Sequence, residues 1–308
     1  MKINANLLVQ AARDSAPRFG NQCGCSVLRV GPEQPFRTIA SAVAAARAFD
    51  EIEIQAGIYP DDTAVIDKPL ALTGTGGMPI LQSIGLIANG RGILLTRADV
   101  RLRNLSFVGA VVLNGNGAGV WHEAGNLVVE RCTFRNCQNG LFIGHTPESV
   151  ATVRYSSFIG NGAGDGHTHG LYVGDEIDCL VAENNTFIGT VVGHHLKSRA
   201  RRNLICHNTI GDGVSDTASY AVDVPNGGRA LLLGNQMIRG PNAGHRVLVR
   251  YAAEGLAYPD NSFQVVGNGF INRGGGLSIA VKMDTWRIRA RLVANFREGN
   301  VLQLVGRS

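Results

Sequence analysis

Polar and apolar positions in this chain repeat with a period much longer than that of a helix or a strand. The five-residue segments ending at Phe107, Phe134, Phe158 and Phe187 share one pattern, which continues in those ending at Ile210, Met237 and Phe270. Successive final residues lie 27, 24, 29, 23, 27 and 33 positions apart. A short alternating strand precedes each segment, such as 126–130 or 179–183. A glycine or asparagine and a second strand follow, as in 140–144, 170–174 and 195–199. Two or three short strands joined by polar turns suit a coil that climbs one strand spacing per turn. The repeat therefore predicts an all-β chain, a right-handed parallel β-helix of about ten rungs. A propeller needs about 40 residues per blade and a leucine-rich repeat needs a leucine consensus; the chain has neither.

Asn185, Asn208, Asn235 and Asn268 each stand two positions before an anchor. In register, their amides can hydrogen-bond along the solenoid as a ladder. Thr38 followed by an alanine-rich run predicts a helix near 38–48 with Thr38 as N-cap. Such a helix would cover the lower end of the coil, where core and strand edge would otherwise meet water. The segment 52–59 reads as the first rung. The expected organisation is an extension over 1–27, the β-helix over 28–285 and a final rung or cap over 286–308.

Forty glycines and 6% aromatic residues fit a chain of tight turns better than a compact α/β enzyme, and 44% hydrophobic residues supply a core that excludes disorder. The net charge of +5 favours an acidic partner. The basic residues are localised rather than striped, which argues against nucleic acid. No apolar stretch reaches membrane-spanning length, so no membrane partner is expected. Met1 to Gln10 carries no signal-peptide-like run, which leaves secreted or periplasmic export open. Cys23 and Cys25 form a C-x-C pair, Cys132 and Cys137 bracket four residues, and Cys179 and Cys206 are isolated. None has paired zinc spacing, so buried or idle thiols are expected.

Phe36-Arg-Thr-Ile-Ala40, Ile54-Gln-Ala-Gly-Ile-Tyr59 and Lys68-Pro-Leu-Ala-Leu-Thr-Gly74, followed by the rungs, resemble the pectin-lyase-like right-handed β-helix superfamily over roughly residues 28 to 285. That family includes polysaccharide lyases, glycoside hydrolases, pectin esterases, alginate epimerases and phage tailspikes. The resemblance implies a carbohydrate substrate without choosing the reaction. Calcium occurs in several related lyases, so the resemblance leaves calcium open as a cofactor, although no acidic loop here has convincing ligand spacing and no metal ligand is assigned.

If Leu141, Leu171, Leu196 and Val222 point inward, alternation predicts an outward column through Leu94, Trp121, Phe142, Tyr172, Lys197, Asp223 and Leu248. Its members would sit about 4.8 Å apart. Two positions on, Glu123, Gly144, Gly174, Arg199 and Arg250 form a second column. His195, two before Lys197, is also expected to face out. Trp121, Phe142 and Tyr172 then read as a platform for sugar rings, unless a loop or another subunit covers them. Above them Tyr172, Lys197 and Asp223 stand on adjacent rungs beside His195 and Arg199. His167 and His169 form an H-x-H pair without an evident third metal ligand; His169 is expected to line the groove and Arg250 to bind substrate. His194 aligns with His169 for stacking, and His122 reads as a core histidine.

The leading expectation is a polysaccharide lyase acting on a uronate-containing glycan by β-elimination. Lys197 would be the base, Tyr172 or His195 the acid, and Arg199 the clamp on the substrate carboxylate. The same set would support C5 epimerisation. Hydrolysis needs two carboxyl groups, and Asp223 would need a partner from Asp165, Asp175, Glu123 or Asp216. An esterase with Asp223 as nucleophile lacks its usual companion aspartate. The alternative of another class is a non-catalytic, tailspike-like glycan binder in which Lys197 and Asp223 form an ion pair.

Overall fold

A computed structural model describes residues 25–213 and 216–306. Each turn of the chain carries one strand in each of three sheets, for example Cys179–Glu183 in the first, Thr186–Ile188 in the second and Leu196–Ser198 in the third. Equivalent strands of successive turns pair in parallel, so the sheets grow to 11, 10 and 10 strands. The fold is a parallel β-solenoid of about ten turns, with one short helix among the described residues.

The anchors found in the sequence form one column of the second sheet. Phe107, Phe134, Phe158, Phe187, Ile210, Met237 and Phe270 pair in register, and all are buried. Their phenyl rings stack at 5.1, 4.8 and 4.5 Å between centroids. Each ring taken out of water contributes about 1.5–3 kcal/mol.

The corner between the first and second sheets explains why the repeat is so regular. The chain turns there on one residue in the left-handed region, with φ of 56° at Asn104, 54° at Asn184, 55° at His207 and 63° at Gly234. Glycine takes this conformation at no steric cost, whereas the others must be held in it. After Asn184, His207 and Gly234 the next residue, an asparagine, does the holding. Asn208 Nδ2 donates to the Ala182 carbonyl and to Asn235 Oδ1, both at 2.9 Å, and its Oδ1 accepts the Asn185 backbone N–H at 2.9 Å. Asn185, Asn235 and Asn268 repeat the arrangement, which reaches Asn295 at the top. Below Asn185 the position is taken by Ser156, whose Oγ accepts the Cys132 N–H at 3.1 Å.

The helix runs over Ile39–Ala45, with the Thr38 hydroxyl accepting the Ser41 N–H at 3.2 Å. It stops before the expected 48 because Ala46 is extended and Asp50 accepts the Arg47 N–H at 2.7 Å. Ile39, Ala42 and Val43 join the core. The strand Val27–Val30 pairs beneath Glu51–Gln55, so the first sheet begins one strand before the expected first rung. Arg291–Val293, Phe296–Glu298 and Val301–Gly306 add a last strand to each sheet. Most of the expected extension, 1–27, and Cys23 lie outside the described residues. Cys132, Cys137, Cys179 and Cys206 are buried thiols, and burial pushes Cys137 and Cys179 up to about 11. Among the described residues no helix is long and apolar enough to cross a membrane.

Asn235→Ala leaves the Asn208 N–H and the Ile205 carbonyl without their side-chain partner. Each buried group so orphaned costs about 1–3 kcal/mol. Guanidinium unfolding should therefore show a loss of about 2–5 kcal/mol, while the exposed neighbour Gln236→Ala should change stability by less than about 0.5 kcal/mol.

Candidate functional site

The third sheet carries the outward column, whose register runs Leu95, Trp121, Phe142, Tyr172, Lys197, Asp223, Arg250 and Lys282. Two expected members do not belong. Leu94 pairs with Val120 and is fully buried, and Arg250 rather than Leu248 pairs with Asp223. Arg250 thereby leaves the expected column of Arg199. The cause lies at the strand starts, where two consecutive positions face the interior. A Cβ on Gly119 would meet the Phe107 and Phe134 side chains, and one on Gly140 would meet Phe158. Leu248 fills the equivalent position with a core side chain. Alternation counted from the start of a strand slips by one across this irregularity.

His195 is displaced for the same reason. It does not face out but is 1% exposed, one residue before the strand Leu196–Ser198. Its Nε2 lies 3.0 Å from Asp212 Oδ1 and its Nδ1 2.9 Å from Thr190 Oγ1. The ring ties the turn before its own strand to the turn one rung above and takes no part in the groove. His122 is buried as expected, between Thr96 Oγ1 at 2.8 Å and the Gly125 carbonyl at 2.9 Å. Burial lowers its pKa to about 4.

The groove, of about 510 Å³, has Phe142, Tyr172, Lys197 and Arg199 as its floor. Asn114, Gly115 and Asn116 form one wall, and the turn from Asp165 to His169 forms the other. The opening exists because the loops 109–117 and 160–170 are long while the turn 136–138 between them is short. Asn139 braces both walls, donating to Asn116 Oδ1 at 2.6 Å and accepting the His169 N–H at 2.8 Å. Asp165 stiffens its wall by accepting the His167 and Thr168 N–H groups at 2.9 and 3.1 Å.

The aromatic residues differ from an open platform. Trp121 and Phe142 stack at 3.8 Å and Phe142 and Tyr172 at 4.7 Å, so their faces cover one another. The Arg91 guanidinium lies 4.9 Å from the Trp121 ring, which is 7% exposed. Ring edges and the Tyr172 hydroxyl therefore face the groove. A second stack runs His169, His194, Tyr220 and His245 at 4.9, 4.7 and 4.9 Å, with His169 also stacked 5.7 Å from Tyr172. Burial, with Lys197 close by, lowers His169 to about 3, so the ring is neutral.

The charged part is compact. Lys197 Nζ lies 3.8 Å from Asp223 Oδ2 and 3.6 Å from Glu254 Oε1. Arg199 donates to Glu254 through both terminal nitrogens (NH2 to Oε1 at 2.8 Å), to Asn226 Oδ1 at 2.7 Å and from Nε to the Tyr172 hydroxyl at 3.2 Å. Burial raises the Asp223 pKa to about 6 against the opposing pull of Lys197, and its Oδ1 has no hydrogen-bond partner among the described residues. The hydrogen bonds from Arg199 hold Glu254 below the usual carboxylate range. Arg250 sits above, paired to Asp284 at 2.8 Å and to the Tyr220 hydroxyl at 3.2 Å. Glu254 and Asn139 were not among the expected residues. Glu254 lies 55 positions beyond Arg199 in a loop that breaks the repeat, so no spacing marks it.

The carboxylates considered as partners for Asp223 are engaged elsewhere. Glu123 pairs with Arg97 at 2.7 Å, Asp175 with His145 at 3.0 Å, and Asp216 bonds the Gly213 N–H. Among the described residues no group of three or more His, Cys, Asp or Glu is placed to hold a metal ion.

No family model and no curated protein sequence matches the chain. Among solved structures, ORF18 of Geobacillus virus E2 superposes with a TM-score of 0.50 at 14% identity, over 87% of this chain and 57% of that one. The chain thus spans somewhat more than half the length of that neighbour, and the likeness is one of fold.

The fold favours the protonated form of Asp223, because its folded pKa lies above the ordinary aspartate value of 3.8. Its contribution to stability is full below about pH 4 and is lost as the pH rises through about 6. Asp223→Asn should accordingly stabilise the protein more at about pH 8 than at about pH 4. In carboxyl-carbon NMR, Asp223 should titrate near 6 and shift upward in Lys197→Met; a midpoint near 4 would show a solvated carboxylate.

Proposed function

We propose that the chain is a carbohydrate-active β-solenoid that cleaves a uronate-containing glycan in this groove by β-elimination. One observation carries the reading: Lys197 and Arg199 jointly hold a carboxylate, that of Glu254, on the groove floor beside the Tyr172 hydroxyl. A uronate carboxylate in that seat is neutralised by the Arg199 fork, which lowers the cost of charge developing at the neighbouring carbon.

Lys197, as the amine, takes the proton from that carbon, and the freed electron pair forms the new carbon–carbon double bond as the glycosidic C–O bond breaks. Tyr172 gives its phenolic proton to the leaving oxygen; its oxygen already accepts from Arg199 Nε, which leaves the O–H free to donate. Asp223 is the partner to which the resting proton of Lys197 passes, a role suited to a carboxyl pushed up to about 6. With His195 bonded away from the groove, Tyr172 is the acid that remains. Return of the proton to the other face without bond cleavage would give C5 epimerisation from the same residues.

Hydrolysis is a second reading, because Asp223 and Glu254 flank one ammonium and their pKa values are displaced in opposite directions. Opposed carboxyl shifts are what an acid and its companion carboxylate require.

Incubation with a panel of acidic polysaccharides should raise the ultraviolet absorbance of unsaturated uronates, at a rate that climbs with pH through about 6. Lys197→Ala should lower that rate by at least about a hundredfold and preserve glycan binding. New reducing ends without the absorbance would replace elimination by hydrolysis, and binding without either signal would make the protein a tailspike-like binder.

A further inference from the structure

The carboxylate that fills the Lys197–Arg199 seat belongs to the protein itself. Glu254 comes from the loop after the strand Val247–Tyr251, which stands two turns above Leu196–Ser198 in the third sheet. The loop backbone is pinned against the turn below it. The Glu254 N–H donates to the Pro225 carbonyl and the Ala257 N–H to the Asn226 carbonyl, both at 2.9 Å, and the Tyr258 hydroxyl bonds the Arg199 carbonyl. The Glu254 side chain is held differently. It is 47% exposed, and among the described residues its hydrogen bonds and ion pairs all run through the carboxylate to Arg199 and Lys197. Rotation about its own side-chain bonds therefore empties the seat without moving the loop.

We infer that Glu254 is an internal competitor for the substrate carboxylate, so that the groove admits a uronate only by exchange of one carboxylate for another. The inference rests on the uronate reading above. Two carboxylates cannot share the Arg199 fork: its NH1 and NH2 both point at Glu254, and like charges in one seat repel. Exchange is nearly balanced for the carboxylate alone, so binding is decided by what else the ligand touches along the groove. A single acidic sugar gains little, whereas an oligomer spanning the walls at Asn116 and His167 gains enough to displace the side chain. Glu254 thus sets a threshold against isolated acids. The same bonds that make it a competitor make it a poor proton acceptor, since they hold its pKa down.

The test is calorimetric titration of the full chain with trigalacturonate, trimannuronate and a hyaluronan hexasaccharide, each beside its methyl ester, for wild type and Glu254→Gln. If the seat is free in about a tenth of the wild-type molecules, the variant should bind its preferred acid roughly tenfold more tightly, with less than about twofold change for the ester. Glu254→Ala, checked for native near-ultraviolet circular dichroism, should behave alike. Unchanged or weaker binding of an acid that the wild type binds would overturn the competitor role and leave the uronate groove standing. Loss of turnover without tighter binding would overturn it too, in favour of Glu254 as a hydrolytic carboxylate. If neither protein binds any of the acids, the uronate reading falls and the competitor with it.

Discussion

Every feature of this molecule depends on successive coils stacking in register, one strand spacing apart. The constraint acts at the corner between the first and second sheets. A left-handed residue turns the chain there, and a buried asparagine or serine locks the turn to the coils above and below. Because that lock recurs at the same place in the turns from Ser156 to Asn295, loops of very different length leave the register there untouched. The chain from Phe158 to Phe187 includes a loop that walls the groove, yet the two rings stack at 4.5 Å.

Registered stacking turns sequence positions into columns, and a column must suit its own neighbours. Inside, the phenyl rings satisfy this with face-to-face contact. Outside, Trp121, Phe142 and Tyr172 do the same, which turns their edges to solvent. Charges repeated at about 4.8 Å would repel if they shared a sign. The upper column alternates instead, from Lys197 to Asp223 to Arg250, and where Lys282 follows Arg250, Asp284 reaches both, at 3.5 and 2.8 Å. The chemistry-bearing cluster is thus also the arrangement that lets a charged column exist on this fold. Burial of Asp223 within it raises the carboxyl into a range useful for proton transfer.

The anchor column, the asparagine ladder, Thr38 as an N-cap and the adjacency of Tyr172, Lys197 and Asp223 were legible in the sequence, because each follows from a period that the register converts directly into contact. The misplaced residues share a local cause. Leu94, Leu248 and His195 sit at strand starts where two successive positions turn inward, and periodicity of two has no way to signal that irregularity. The groove walls and their brace at Asn139 depend on which loops stand beside a short turn. That follows from loop length only once the stacking order is known.

The sequence by itself determined the solenoid, its register and the identity of the outward column around Lys197, since repeating side-chain types leave a periodic trace. Only the tertiary structure decided that His195 belongs to a buried Thr190–His195–Asp212 tie and that Glu254 occupies the Lys197–Arg199 seat. Such contacts are made by non-repeating segments that fold back across coils. Their partners are chosen by distance in space, for which residue spacing along the chain carries no record.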